Sequence, residues 1–202
     1  MKKVRYWSIV MGCCIAIFAF AALASAETHP WKWADLNSDG HAYLMANSSN
    51  LNTSYSGTVF TNGMNLWNNS SGHIDIAIAN YSNSNVDYYS VTSSTWKSNG
   101  WKSSLIGWTQ VYNGGTACYS DSTASDNTCT KTVNYAGIFM NDANIPSTSA
   151  KRSAVLAHEA GHAVGLGHTL ASPSQIASMM NPATTSNSPT KYDVDNLNAI
   201  YP

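Results

Sequence analysis

The segment His158-Glu159-Ala160-Gly161-His162-Ala163-Val164-Gly165-Leu166-Gly167-His168 decides how this chain is read. On a helix, positions i and i+4 stand on one face, so His158 and His162 can present two imidazoles to one metal ion. Glu159 is one step round the helix, within reach of water at that metal without taking a coordination position. A continuing helix could not bring His168 to the same point. The chain must turn first, and Gly165 supplies the backbone freedom for the turn. Three histidines and one open position is the arrangement of a catalytic zinc, whereas a structural zinc is closed by four protein ligands. Such a zinc polarises a carbonyl and lowers the pKa of water towards ~7. Glu159 would take the water's proton and pass it to a leaving amine. The chain has only two glutamates, and the other is Glu27.

Outward from this segment, Pro146 to Ser149 give helix-start chemistry, and a helix is expected from about Ala150 to Val164, stopped by Gly165 and Gly167. Upstream, residues 73–79 alternate apolar with other residues, as a strand with one buried face does. Residues 104–113 read as another strand ending at a Gly114-Gly115 turn, and residues 132–140 as a further one. Val59, Phe60, Met64 and Trp67 are spaced like one face of a helix over residues 57–67. Residues 27–56 show no clear period, and Trp96-Lys97-Ser98 is echoed by Trp101-Lys102-Ser103 without forming a repeat. Residues 169–189 read as a polar loop, and a last helix covers about Tyr192 to Ile200. Strands first, then helices around a site, describe one α+β (α/β-like) domain.

The start of the chain reads as an export signal. Lys2, Lys3 and Arg5 precede an apolar run from about Trp7 to Leu23, and Ala24-Ser25-Ala26 offers small residues for cleavage. The expected division is a signal peptide at 1–26 and a catalytic domain at 27–202, large enough for one core. All eleven acidic residues follow that point but only seven basic ones do, a formal net charge of −4. With no basic stripe, nucleic acid is not an expected partner. Beyond the signal, the only cysteines are Cys118 and Cys129. In an oxidising compartment they most simply form a disulfide; two free thiols are the alternative.

The sequence resembles the metzincin peptidases, which carry H-E-x-x-H-x-x-G-x-x-H followed by a Met-turn. Ser178-Met179-Met180-Asn181-Pro182 looks like that turn, with Met180 beneath the zinc and Met179 as the alternative. Within the metzincins it resembles the matrixins, the matrix-metalloproteinase-like catalytic domains. Met64-Asn65-Leu66-Trp67 looks like the end of their first helix, His73 to Ile78 their third strand, Gly137 to Asp142 the strand before the active-site helix, and Asp193 to Tyr201 the closing helix. Thr169 stands near their serine after the third histidine. No tyrosine lies two residues after Met180, unlike the astacin-like and serralysin-like branches.

The resemblance implies a metzincin catalytic domain: a twisted mixed sheet, an active-site helix, a second long helix and a C-terminal helix. It implies one catalytic zinc and a peptide substrate bound as an added strand along about Ile106 to Tyr112. Leu170 and Ile176 are candidate pocket residues. Asp193 is expected to cap the last helix or to buttress the Met-turn. No prodomain with a blocking cysteine fits before the first helix, and His29, His41 and His73 are too scattered to suggest a second, structural zinc.

The expected function is that of a secreted, extracellular zinc endopeptidase, monomeric, acting on protein or peptide, with no membrane span once the signal is removed. The alternative is a catalytically silent zinc-binding or adhesive secreted protein, which would have no need of Glu159. Asp35-Leu36-Asn37-Ser38-Asp39-Gly40 matches the first half of an EF-hand loop, so Ca2+ is considered there. The twelfth position, however, is Ala46 where a bidentate glutamate is needed.

Overall fold

A computed structural model describes residues 28–118, 132–169, 176–182 and 186–202. The expected signal at 1–26, Cys129 and Leu170 lie outside these residues. Among the described residues, no helix is long and apolar enough to cross a membrane.

The strands are β1 (Ala42–Asn50), β2 (Ile74–Ile78), β3 (Val86–Val91), β4 (Gly107–Asn113), β5 (Thr116–Cys118) and β6 (Tyr135–Asn141). The helices are α1 (Thr58–Asn68), α2 (Ser93–Ser98), α3 (Ser149–Ala163) and α4 (Lys191–Ile200). The strands form one six-stranded sheet in the order β2-β1-β3-β6-β4-β5. Strands β2, β1, β3 and β6 pair in parallel, whereas β4 runs antiparallel to both β6 and β5. This is the mixed α+β architecture expected from the sequence.

One face of the sheet packs on α1 and α3. Ala42, Leu44, Ala46, Ile74, Ile76, Val86, Tyr88, Ile138 and Met140 meet Phe60, Met64 and Trp67 of α1 and Leu156, Ala157 and Ala160 of α3, all buried. Polar side chains inside this layer find main-chain partners, as buried polar groups must. Trp67 Nε1 donates to the Ala157 carbonyl (2.8 Å), Tyr88 Oη to that of Leu156 (3.0 Å), and Ser153 Oγ to that of Val59 (2.8 Å). These bonds fix the height and rotation of α3, the helix that carries His158, Glu159 and His162.

Strand β1 lies within residues 27–56, where the sequence shows no clear period. Its inward residues are Ala42, Leu44 and Ala46, while Tyr43 and Met45 lie on the other face half-buried. Two inward alanines opposite larger outward residues hide the alternation. Strand β3 is masked in a similar way by Asp87, which is buried because Asn47, Ser84 and Tyr135 all donate to its carboxylate. Burying a charge is tolerable only with such partners. Helix α2 was not foreseen either. The repeated Trp-Lys-Ser around it is packing: Trp96 is buried, and its ring meets Trp101 edge-on at 4.8 Å.

The Gly114-Gly115 turn closes the β4–β5 hairpin as expected. Both glycines have positive φ (55° and 85°), the requirement of a type I′ turn. The hairpin bears on the added strand expected along about Ile106 to Tyr112, because β5 already pairs with the end of β4, at Val111, Tyr112 and Asn113.

The segment ahead of β1 straps across the far end of α3. Thr28 bridges Leu166, His29 N–H donates to the Gly165 carbonyl (2.8 Å), and Trp31 and Trp33 are buried in the core. Tyr201 Oη locks the strap, accepting from Trp33 N–H (2.7 Å) while donating to the Val164 carbonyl (2.9 Å).

Candidate active site

Helix α3 begins at Thr148, whose side chain accepts from Lys151 N–H, and puts His158 and His162 on one face. It ends in a Schellman motif. Leu166 N–H reaches back to the Gly161 carbonyl (3.0 Å) and Gly165 N–H to that of His162 (3.1 Å). The motif needs a left-handed residue, and Gly165 supplies it at φ 97°. The reversal carries His168 back over the helix, where no continuing helix could take it.

The three Nε2 atoms form a small triangle. His158 and His162 are 3.1 Å apart, His162 and His168 3.1 Å, and His158 and His168 3.3 Å. Four ligands around zinc at about 2.0–2.1 Å stand roughly 3.3–3.4 Å from one another, so this triangle fits three corners of that tetrahedron. Tautomers agree with the fit. His158 Nδ1 faces the Met179 carbonyl (2.7 Å) and His162 Nδ1 the Leu166 carbonyl (2.8 Å). A carbonyl only accepts, so each Nδ1 carries the proton and each Nε2 keeps its lone pair for a metal. Burial, followed by the neighbouring His168, His158 and His29, holds the His162 pKa well below its ordinary value, which keeps it neutral. Among the described residues, this triad is the one group of three or more such side chains able to hold a metal ion.

The Met-turn stands behind His158. Asp193 on α4 accepts from Met179 N–H (2.8 Å), Thr190 N–H (2.8 Å) and Ser178 Oγ (2.5 Å). Both roles considered for Asp193 are therefore present, since it completes the α4 capping box with Thr190 and also holds the turn. Thr169 N–H donates to the Met180 carbonyl (3.0 Å), tying the strand after His168 to the same turn. Met180 lies under the helix. A Cβ on Gly161 would come within 2.6 Å of its Sδ, so only glycine lets the thioether sit there. Met179 is buried too, but its carbonyl does the orienting.

Glu159 is 5% exposed. Its Oε2 accepts from Thr109 Oγ1 at 2.6 Å, and Gly107 of β4 lies directly against its carboxylate. Burial holds its carboxyl above the ordinary range, opposed by His158 and by the Thr109 hydrogen bond. Neither Thr109 nor Gly107 was foreseen. The 104–113 strand pattern puts 107 and 109 on one face, but nothing in the sequence says that this face meets α3.

The three histidines and Glu159 line a cleft of about 320 Å³ together with His29, Trp101, Leu105, Ile106, Trp108 and Val155. His29 enters from the strap, stacked on Trp31 (4.1 Å) with its ring 6.1 Å from His162. Ile176 is not among the residues that line this cleft. His41 and His73, far apart in sequence, stack on each other at 4.5 Å. In the EF-like segment, Asn37 Oδ1 accepts from the N–H groups of Asp39 and His41, and Ala46 is core. The segment forms the turn into β1, and its twelfth position offers no ligand.

A sheet-backed helix and the turn after it bring together three histidines that could hold a metal ion, with a buried glutamate beside them, an arrangement suited to metal-assisted hydrolysis. The family model of Peptidase_M43, pregnancy-associated plasma protein-A, matches residues 80–195, which include the whole centre and the Met-turn. The chain belongs to this family of zinc metallopeptidases. No curated protein matches it. Among solved structures it is similar to high choriolytic enzyme 1, a hatching enzyme zinc-protease from Oryzias latipes (medaka fish). The two are 14% identical over 84% of this chain and 94% of that one, with a TM-score of 0.44.

Proposed function

We propose that the chain is a secreted zinc endopeptidase in which His158, His162 and His168 hold the metal and Glu159 is the general base. The observation that carries this reading is the triangle of Nε2 atoms at 3.1–3.3 Å with a buried carboxylate one residue from its first corner. Zinc, when bound, supplies the Lewis acid that polarises the scissile carbonyl and makes water a nucleophile near neutral pH.

The chain's own residues do the rest. Glu159 takes the proton of the attacking water and delivers it to the departing amine nitrogen. The carbonyls of Met179 and Leu166 keep two imidazoles aimed, so the site needs little rearrangement when the metal arrives.

The matrixin-like layout remains our reading of the cleft. Gly107, Trp108 and Thr109 of β4 line it, which supports a peptide lying extended beside this strand. Secretion rests on the composition of residues 1–26, and a Cys118–Cys129 disulfide on the burial of Cys118 at the end of β5 and on that export.

The test is hydrolysis of a mixed peptide library by the purified chain before chelation, after chelation, and after zinc is restored. Cleavage lost and then regained supports the reading. A chain that binds one zinc tightly and cleaves nothing would favour the silent zinc-binding protein.

A further inference from the structure

We infer that Thr109 is a positioning residue for the general base, its hydroxyl fixing the Glu159 carboxylate while the bare Cα of Gly107 leaves the space that carboxylate occupies. The inference rests on the peptidase reading above.

The hydroxyl has one proton and two acceptors near it: Glu159 Oε2 at 2.6 Å and the Glu159 main-chain carbonyl at 3.1 Å. With the carboxylate ionised, the shorter, charge-assisted bond takes the proton. If a proton resides on Oε2, the hydroxyl can turn to the carbonyl and accept from the carboxyl group instead. One threonine can therefore hold the side chain in both protonation states. Thr109 is itself 3% exposed on a strand paired along its length with β6, so its Oγ1 is set by the sheet rather than by a mobile side chain.

Gly107 completes the arrangement. A Cβ there would stand 2.3 Å from Glu159 Oε1 and 2.7 Å from Cδ, so any larger residue displaces the carboxylate. With Oε2 engaged by Thr109, Oε1 is the oxygen that lies against Gly107. Positioning of this kind acts on the chemical step, because a misplaced base loses rate without loosening substrate.

The test compares the zinc-loaded chain with Thr109→Val, which keeps the shape and loses the hydroxyl, and Thr109→Ser, which keeps the hydroxyl. Zinc content, kcat and KM are measured for each. A readout independent of turnover comes from composition: with Glu159 and Glu27 the only glutamates, side-chain carboxyl 13C labelling of glutamate gives two resonances. We expect Thr109→Val to keep its zinc, lose roughly 10–100-fold in kcat with KM nearly unchanged, and move the Glu159 resonance. Thr109→Ser should recover most of kcat and return the resonance. Zinc-loaded Thr109→Val with full kcat, or with an unmoved resonance, overturns the inference, as does Thr109→Ser as slow as Thr109→Val. A parent chain without zinc-dependent hydrolysis overturns the peptidase reading itself and, with it, the positioning role given to Thr109.

Discussion

His158 Nδ1 donates to the main-chain carbonyl of Met179 across 2.7 Å, so the first metal-facing imidazole is aimed by a turn that lies 21 residues away in sequence. That turn is in turn held by Asp193 of α4, whose carboxylate receives Met179 N–H, Thr190 N–H and Ser178 Oγ at 2.5–2.8 Å. Helix α4 thereby takes part in shaping the histidine triad.

Replacing Asp193 tests this relay. Asp193→Asn would set an amide N–H₂ against main-chain donors that now meet a carboxylate. We expect a loss of about 2–4 kcal/mol in stability, together with weaker zinc binding, since buried charge-assisted bonds of this kind are costly to break. Denaturant unfolding and a competitive chelator titration measure the two effects. Unchanged zinc affinity in the folded variant would separate Asp193 from the centre.

Gly161→Ala would drive a methyl to within 2.6 Å of Met180 Sδ and 3.2 Å of the Trp67 ring. Overpacking of this sort costs about 1–3 kcal/mol. A fall in the urea midpoint is expected, and an unaltered midpoint would mean that Met180 is free to move aside.

Gly107→Ala probes the other side of the site. The new methyl would meet the end of the Glu159 side chain rather than backbone, so the fold should survive while the carboxylate swings away. A tenfold or greater loss of kcat is expected in the folded variant, on the order of what a misplaced catalytic group costs. Wild-type kcat would show that the carboxylate works equally well from a second position.

Much of this was legible beforehand because the chemistry is local. One motif, spaced 158, 159, 162 and 168, carries its own helix periodicity and its own glycine stop, so the sequence itself implies the grouping of the three histidines. Met180 and Asp193 sit in short patterns too, and the structure packs Met180 against Gly161 and bonds Asp193 to Ser178 and Met179. What escaped was long-range. Thr109 reaches Glu159 across 50 residues, and nothing in a strand pattern names the helix its face will meet. Strands β1 and β3 escaped because inward alanines and a buried Asp87 erase the apolar alternation on which strand reading depends.

Acid should weaken the metal-free chain. Burial lowers the His29 pKa from 6.5 to about 4 and pushes that of His162 well below its ordinary value. Groups with folded pKa values below their unfolded ones contribute stability above the unfolded pKa and lose it as pH falls. The buried Glu159 works the other way, losing its contribution as pH rises above the ordinary carboxylate range. The chelated protein should therefore lose stability between about pH 6.5 and 4. Urea midpoints across that range measure it, and a flat profile would contradict the burial of neutral imidazoles.

The most direct test of the central claim is peptide cleavage by the wild-type chain and by Glu159→Ala, compared at equal, measured zinc content. The account predicts that both bind one zinc and that only the wild type cleaves, with the variant slower by at least about 100-fold, the scale of a lost general base. Equal cleavage by the two would remove Glu159 from the mechanism and contradict the account.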